Sequence, residues 1–213
     1  MNNKIKATKS RRRNNLGNSS YEKIVSVAES VLKQNGFHCF STRNVANKCG
    51  ISVGNLTYYF PNKVNLIEAV MKAVCKRYSN QRLIDRDSTI KNGEDYLNVV
   101  ITWMLDDAVT SETSSLFLEL WVMAKHHDFG VEIIENFYAS VIKWITASLG
   151  YYYRNISKKK LESAAYFILT LSEGTLAVFS RSYQRPVNHQ KIIEFALNGV
   201  LSILDENRKN IVI

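Results

Sequence analysis

Apolar side chains recur three and four positions apart over almost the whole chain, beginning with Tyr21, Ile24, Val25, Ala28, Val31 and Leu32. That face predicts a helix, opened by the capping-box spacing of Ser19 and Glu22 and closed at Gly36. Phe37 and Phe40 then connect to a short helix capped by Ser41 or Thr42, with Val45, Ala46 and Cys49 on its buried side and Gly50 as its stop. Ser52 is placed to cap a second short helix, Val53 to Phe60, which Pro61 ends while Asn62 caps the next helix. Two short helices joined by three residues, glycine first, make a helix-turn-helix.

From Lys63, Leu66, Ile67, Val70, Met71, Val74 and Tyr78 predict a longer amphipathic helix to about residue 82, before a polar break from Asp85 to Gly93. Five further helices come after it. Leu97, Val100, Ile101, Met104 and Leu105 face inward on the first, and Leu116, Phe117, Leu120, Trp121 and Ala124 on the second. Ile133, Ile134, Phe137, Val141, Trp144 and Ile145 mark the third, with Asp128 as its cap and Gly150 as its end before an exposed loop of Tyr151 to Arg154. The last two, about 158–182 and 188–206, mix small with large apolar residues, which suits close helix packing. The expectation is an all-α chain of about nine helices with no sheet. Its parts are a basic arm without fixed structure at 1–18, a helix-turn-helix domain at 19–66, and a helical body at 67–213.

Charge changes this picture. Residues 1–82 hold 15 Lys and Arg against three acids, a net +12, whereas the remainder is −3. A basic module that meets a polyanion, joined to a near-neutral body with another task, fits that asymmetry; duplex nucleic acid and an anionic membrane both qualify. No run of about eighteen apolar residues is present and the basic N-terminus leads into Asn and Gly, so neither a membrane span nor a signal peptide is expected, and the cytoplasm is the expected location.

Cys39, Cys49 and Cys75 cannot all pair and have no CxxC spacing, so they read as small buried thiols. His126, His127 and Asp128 are adjacent, but neighbouring side chains diverge at a helix end and no second cluster lies at ligand spacing, so no metal site is assigned. No Ser-His-Asp arrangement or phosphate loop stands out, which leaves an enzyme or a small-molecule carrier with little support, and no cofactor is implied.

The run from Thr42 to Lys63, TRNVANKCGISVGNLTYYFPNK, closely resembles the DNA-binding signature of the TetR family of transcription regulators. The matching features are Thr42-Arg43, Val45-Ala46, the Gly50-Ile51-Ser52 turn, Gly54, Leu56, Tyr58-Tyr59-Phe60 and Lys63. The resemblance implies a homodimer in which three N-terminal helices bind a palindromic operator, a fourth transmits motion, and the others form a ligand pocket and a dimer interface. It also selects duplex DNA over membrane. Repression released by a small molecule is the family's usual arrangement; the alternative is a TetR-like factor with a filled core, controlled by a protein partner.

In that frame Asn55 pairs with adenine, Thr57 offers a hydroxyl or a methyl, and Tyr58 meets base or phosphate. Gly54 lets the backbone approach closely. Thr42, Ser52, Tyr59 and Lys63 are candidate phosphate clamps, and Arg43 opens a helix where the dipole disfavours a cation, so a phosphate partner explains it. Tyr58 and Tyr59 fit the three-helix core as well, and the basic arm serves equally as a minor-groove contact or as a solvated tail. In the body, Trp103, Phe117, Trp121, Phe137 and Trp144 recur on inward faces. They are candidates to line a cavity for an apolar or aromatic effector, cationic if a tryptophan face accepts it, although each also serves as plain core. The last two helices are the candidate dimer surface.

Overall fold

The computed structural model describes residues 2–79, 90–179 and 189–205, with side chains from residue 19 onward apart from 79 and 189. Most of the expected polar break (85–89) and the outer ends of the two expected dimer helices (180–182, 188 and 206) lie outside the described residues. Among the described residues the fold is all-α, with nine helices and no strand. They are α1 (Asn2–Cys39), α2 (Thr42–Cys49), α3 (Val53–Tyr59), α4 (Lys63–Ser79), α5 (Gly93–Ala108), α6 (Ser111–His126), α7 (Asp128–Tyr152), α8 (Lys158–Phe179) and α9 (His189–Leu204).

The chain divides into two compact units, Met1–Val74 with Leu118–Ile133, and Cys75–Phe117 with Ile134–Ile213. The expected partition at residue 66 therefore differs from the observed one. Residues 67–74 and 118–133 group with the N-terminal helices, and in 118–133 Glu119, His127 and Phe129 touch the end of α1. Periodicity does not register contacts so distant in sequence.

In the first unit, Ile24, Ala28, Val31 and Leu32 of α1, Val45 and Ala46 of α2, Leu56 of α3 and Leu66 and Ile67 of α4 are buried together. Each large aliphatic side chain so buried stabilises the unit by about 1.5–3 kcal/mol. Gly36 interrupts α1 with φ 73°, the left-handed backbone that glycine tolerates, and the chain turns there as the sequence predicts. The start of α1 differs. Where composition predicts an arm without fixed structure and a cap at Ser19, the helix already runs from Asn2. The 2–18 segment contains no proline, so a helix nucleated by the buried turns after residue 20 extends back through it, with Gly17 as a weak point of about 1 kcal/mol.

In the second unit, α5, α8 and α9 pack on one another. Gly199 of α9 meets the ring of Phe167 so closely that a Cβ there would stand 2.7 Å from a ring carbon. Leu97, Val100, Ile101, Met104 and Leu105 are buried on α5, and Ala164, Ala165, Ile168 and Leu176 on α8, on the predicted faces.

Four local expectations are corrected. Gly150 lies inside α7, which ends at Tyr152; its backbone is not left-handed, and the Tyr153 N–H continues the ladder to the Leu149 carbonyl at 2.8 Å. The expected exposed loop of Tyr151 to Arg154 holds only in part: Tyr151 is 66% exposed and Arg154 is exposed, but Tyr151 and Tyr152 are still helical, Tyr152 stacks on Tyr96 at 4.6 Å, and burial, with Glu94 next in effect, pushes the Tyr153 hydroxyl up to about 12. Asp128 is the first residue of α7 and not its cap, since the Gly130 N–H bonds to the carbonyl of His127. Of the cysteines, only Cys49 is buried; Cys39 is exposed and Cys75 intermediate, all three with free thiols.

Candidate nucleic-acid interface

Helices α2 and α3 are each fixed by a serine. Ser41 Oγ accepts the N–H of Asn44 at 3.1 Å and Ser52 Oγ accepts that of Asn55 at 3.1 Å, so each short helix has a donor of its first turn satisfied. Between them Gly50 takes φ 70° and its N–H closes on the carbonyls of Ala46 and Asn47, which ends α2 and turns the chain toward α3. Asn62 Oδ1 accepts the N–H of Asn65 at 3.0 Å and starts α4. The helix-turn-helix is thus built by local capping and held by burial of Val45, Ala46, Cys49 and Leu56.

With 3.6 residues per turn, the side of α3 opposite buried Leu56 is made of Gly54 and Tyr58, flanked by Asn55 and Thr57. Tyr58 is 82% exposed, touching Tyr59 edge-on at 5.3 Å. Asn55 is exposed and its amide has no hydrogen-bond partner among the described residues. Thr57 turns its hydroxyl proton back to the Gly54 carbonyl at 3.1 Å, which leaves its methyl and the oxygen lone pairs facing out. Nothing lies within 4 Å of where a Cβ on Gly54 would stand, and its backbone is right-handed. Neither packing nor conformation asks for glycine there, although helix propensity disfavours it.

The other candidates are placed variously. Arg43 and Ser52 are exposed and Thr42 half-buried at the starts of their helices. Tyr59 lies half-buried beside Phe60, whose ring packs on Tyr21 at 5.0 Å. Lys63 has another partner: its ammonium donates to the Phe37 carbonyl at 3.0 Å and rests 3.6 Å from the centre of the Phe37 ring, and burial lowers its pKa. His127 stacks on Phe129 at 5.2 Å with Phe37 beside it, a packing role.

In the second unit a small cavity of about 20 Å³, room for a water or two, lies among α4, α5, α6, α7 and α8. Phe117 and Phe137 line it, with Tyr78, Asp107, Thr113, Ser172 and Glu173 as its polar groups. Trp103 and Trp144 stand behind it, Trp103 touching Tyr78 at 5.2 Å and Trp144 at 6.1 Å. Trp121 is not among its lining residues and belongs to the first unit.

Comparison with known proteins accords with this geometry. Residues 24–70 match the model of the DNA-binding domain of bacterial regulatory proteins of the tetR family, a span that takes in the apolar face of α1, both short helices and the first half of α4. That span is a DNA-binding domain of the tetR type. The chain is 21% identical over 172 residues to the HTH-type transcriptional regulator BetI of Escherichia coli strain SMS-3-5, covering 78% of this chain and 86% of BetI. Among solved structures it is similar to Salmonella enterica GusR, at TM-score 0.67 and 22% identity over 86% of this chain and 96% of that one. It is also similar to the multidrug binding protein EbrR complexed with imidazole, at TM-score 0.58 and 15% identity, covering 87% and 94%.

Residues 24–70 thus carry the DNA-binding domain of a transcriptional regulator. No helix of the described residues is long and apolar enough to cross a membrane. What sequence reasoning missed lies in the second unit. Asp107 and Glu173 interrupt apolar stripes, Glu173 falling four residues after buried Leu169 and three before buried Leu176. An acid on a buried stripe is the signal that marks such a site in sequence, and the aromatic residues around it are the more conspicuous feature.

Proposed function

We propose that this TetR-family protein is a repressor acting as a homodimer on a palindromic operator, with α3 entering the major groove and a small molecule in the second unit setting its DNA affinity. Gly54 carries the reading at the DNA. A glycine that neither packing nor conformation requires, on the face opposite Leu56, is accounted for by close approach of a ligand to the backbone, and Asn55, Thr57 and Tyr58 stand around it with groups that read base edges.

The size of α3 argues for dimerisation. Seven residues reach few base pairs, so useful specificity needs two half-sites and therefore two copies. The surface available for a second copy is on α8 and α9. Ser163, Tyr166, Thr170, Gly174 and Ala177 form an exposed, uncharged stripe on α8, and Tyr166, Val178 and Phe195 are 59%, 67% and 69% exposed. Control by a small molecule is favoured over control by a protein partner because the second unit has a polar-lined cavity where a filled core would have none.

Sedimentation of wild type and Phe195→Asp tests the assembly. The expected result is a dimer that becomes a monomer and loses operator affinity at least about a hundredfold, since half of the phosphate and base contacts are lost. A variant that stays dimeric with unchanged DNA affinity would contradict the assigned surface.

A further inference from the structure

The cavity of the second unit contains two carboxylates of different standing. Asp107 is held: Oδ2 accepts the Tyr78 hydroxyl at 2.6 Å and the Thr113 hydroxyl at 3.0 Å. Burial first, then the adjacent Asp107, pushes the Tyr78 phenol far up, so it remains a donor to Asp107 at any physiological pH. Glu173 is incompletely held. The Tyr138 hydroxyl bonds to the carboxyl group, while Oε2 is buried and has no hydrogen-bond partner. No Lys, Arg or His of the described residues pairs with either acid. Burial is the main influence on Glu173, pushing it up to about 7 with no cation opposing the shift.

Around these acids are aromatic rings. Phe137 meets Phe117 at 5.2 Å and Tyr78 at 5.9 Å, and Tyr78 meets Trp103 at 5.2 Å. A buried carboxylate oxygen without a donor, next to a second carboxylate and walled by π faces, attracts positive charge and repels anions. A neutral apolar molecule would leave the orphan oxygen unmet.

We propose that the cavity is the binding site of an organic monocation, an amine or quaternary ammonium, with Glu173 as its counter-charge and Phe137, Phe117 and Tyr78 as its walls. This rests on the reading that the second unit binds an effector, and names the effector's class. The cavity's volume of about 20 Å³ is smaller than any such cation, so binding requires the surrounding helices to part. A cation that binds only the parted arrangement has differential affinity for two states, as an effector must.

The test titrates the full-length protein with benzylammonium and tetramethylammonium against their size-matched neutral counterparts, benzyl alcohol and tert-butanol, at constant ionic strength. Heat and tryptophan fluorescence are the readouts. Each cation is expected to bind at least tenfold more tightly than its neutral counterpart. Glu173→Gln, which keeps the shape and removes the charge, should equalise each pair, whereas Glu162→Gln on the exposed face of α8 should not. Thermal melts verify that both variants fold; if Glu173→Gln does not, Glu173→Ala serves, with the same equalisation expected.

Equal affinities in the wild type, no saturable binding of either cation, or a cation preference that survives loss of Glu173 would overturn the proposal. Affinity for duplex DNA, measured with and without the bound cation, separates the two readings. Glu173-dependent binding that leaves DNA affinity unchanged upholds the cation site and removes the effector reading. DNA affinity that responds to benzyl alcohol as to benzylammonium upholds an effector site and removes the cation.

Discussion

The backbone N–H of Phe37 donates to Glu119 Oε2 at 2.8 Å, across 82 residues of sequence, while the carbonyl of the same residue accepts the Lys63 ammonium at 3.0 Å. Gly36 makes room for this, since a Cβ there would stand 2.9 Å from the same carboxylate oxygen. The corner between α1 and α2 is therefore held on both sides by charged side chains from α6 and α4, which fixes the entry into the helix-turn-helix. Glu119→Leu leaves the Phe37 N–H without its acceptor and should cost about 1–3 kcal/mol in denaturant unfolding, whereas Glu119→Gln keeps an acceptor oxygen and should cost about 1 kcal/mol or less. Equal losses in the two variants would show that the bond does not hold the corner.

Gly54 separates stability from binding. Alanine there meets no atom within 4 Å and relieves the helix of a poor former, so Gly54→Ala should raise stability by about 0.5 kcal/mol. The same methyl group should lower DNA affinity by about tenfold or more. Melting curves and fluorescence anisotropy measure the two effects, and an affinity equal to wild type would remove the close-approach account of this glycine.

Leu56 and Tyr58 sit on opposite sides of α3 and should fail in opposite ways. Leu56 is fully buried, so Leu56→Ala should cost about 2–5 kcal/mol of stability. Tyr58 is 82% exposed, so Tyr58→Ala should change stability by less than about 0.5 kcal/mol while weakening DNA binding. A large stability loss at Tyr58 would indicate a packing role.

The helix-turn-helix was legible in sequence because its signals are local. Ser41, Gly50, Ser52, Pro61 and Asn62 act within three or four residues of themselves, and Leu56 falls on a periodic face. The long-range ties were not legible. Lys63 reads in sequence as a cation beside a DNA-binding helix, and only the fold brings it under the ring and carbonyl of Phe37, 26 residues earlier. The aromatic residues of the body were visible, yet Trp121 went with the first unit, and the polar group of consequence, Glu173, was concealed among apolar neighbours on α8. Helical period identifies which residues face inward but not which inward faces meet.

Glu173 makes stability depend on pH with a defined sign. Its folded pKa of about 7 lies above the ordinary 4.5, so the folded state holds a proton that the unfolded state has released. The stabilisation is fully present below about pH 4.5 and is lost as pH rises through about 7, amounting to ~3 kcal/mol at about 1.4 kcal/mol per unit. Tyr78, Asp107 and Tyr138 are the titratable groups around it. Glu173→Gln should match wild type near pH 4.5, exceed it increasingly up to about pH 7 and keep a constant margin above that; parallel stability curves between pH 4.5 and 7 would contradict the assignment.

The proposed function depends above all on the reading of sequence by α3 in two copies related by symmetry. Its most direct test is sequencing of random duplex DNA selected by the purified protein at two salt concentrations, alongside Asn55→Ala. The expected result is an inverted repeat with half-sites about one helical turn apart, relaxed at the position that Asn55 reads, and binding that falls with salt at a log-log slope of about −0.9 per phosphate contacted. Recovery of unenriched sequence, or an enriched motif that Asn55→Ala leaves unchanged, would contradict it.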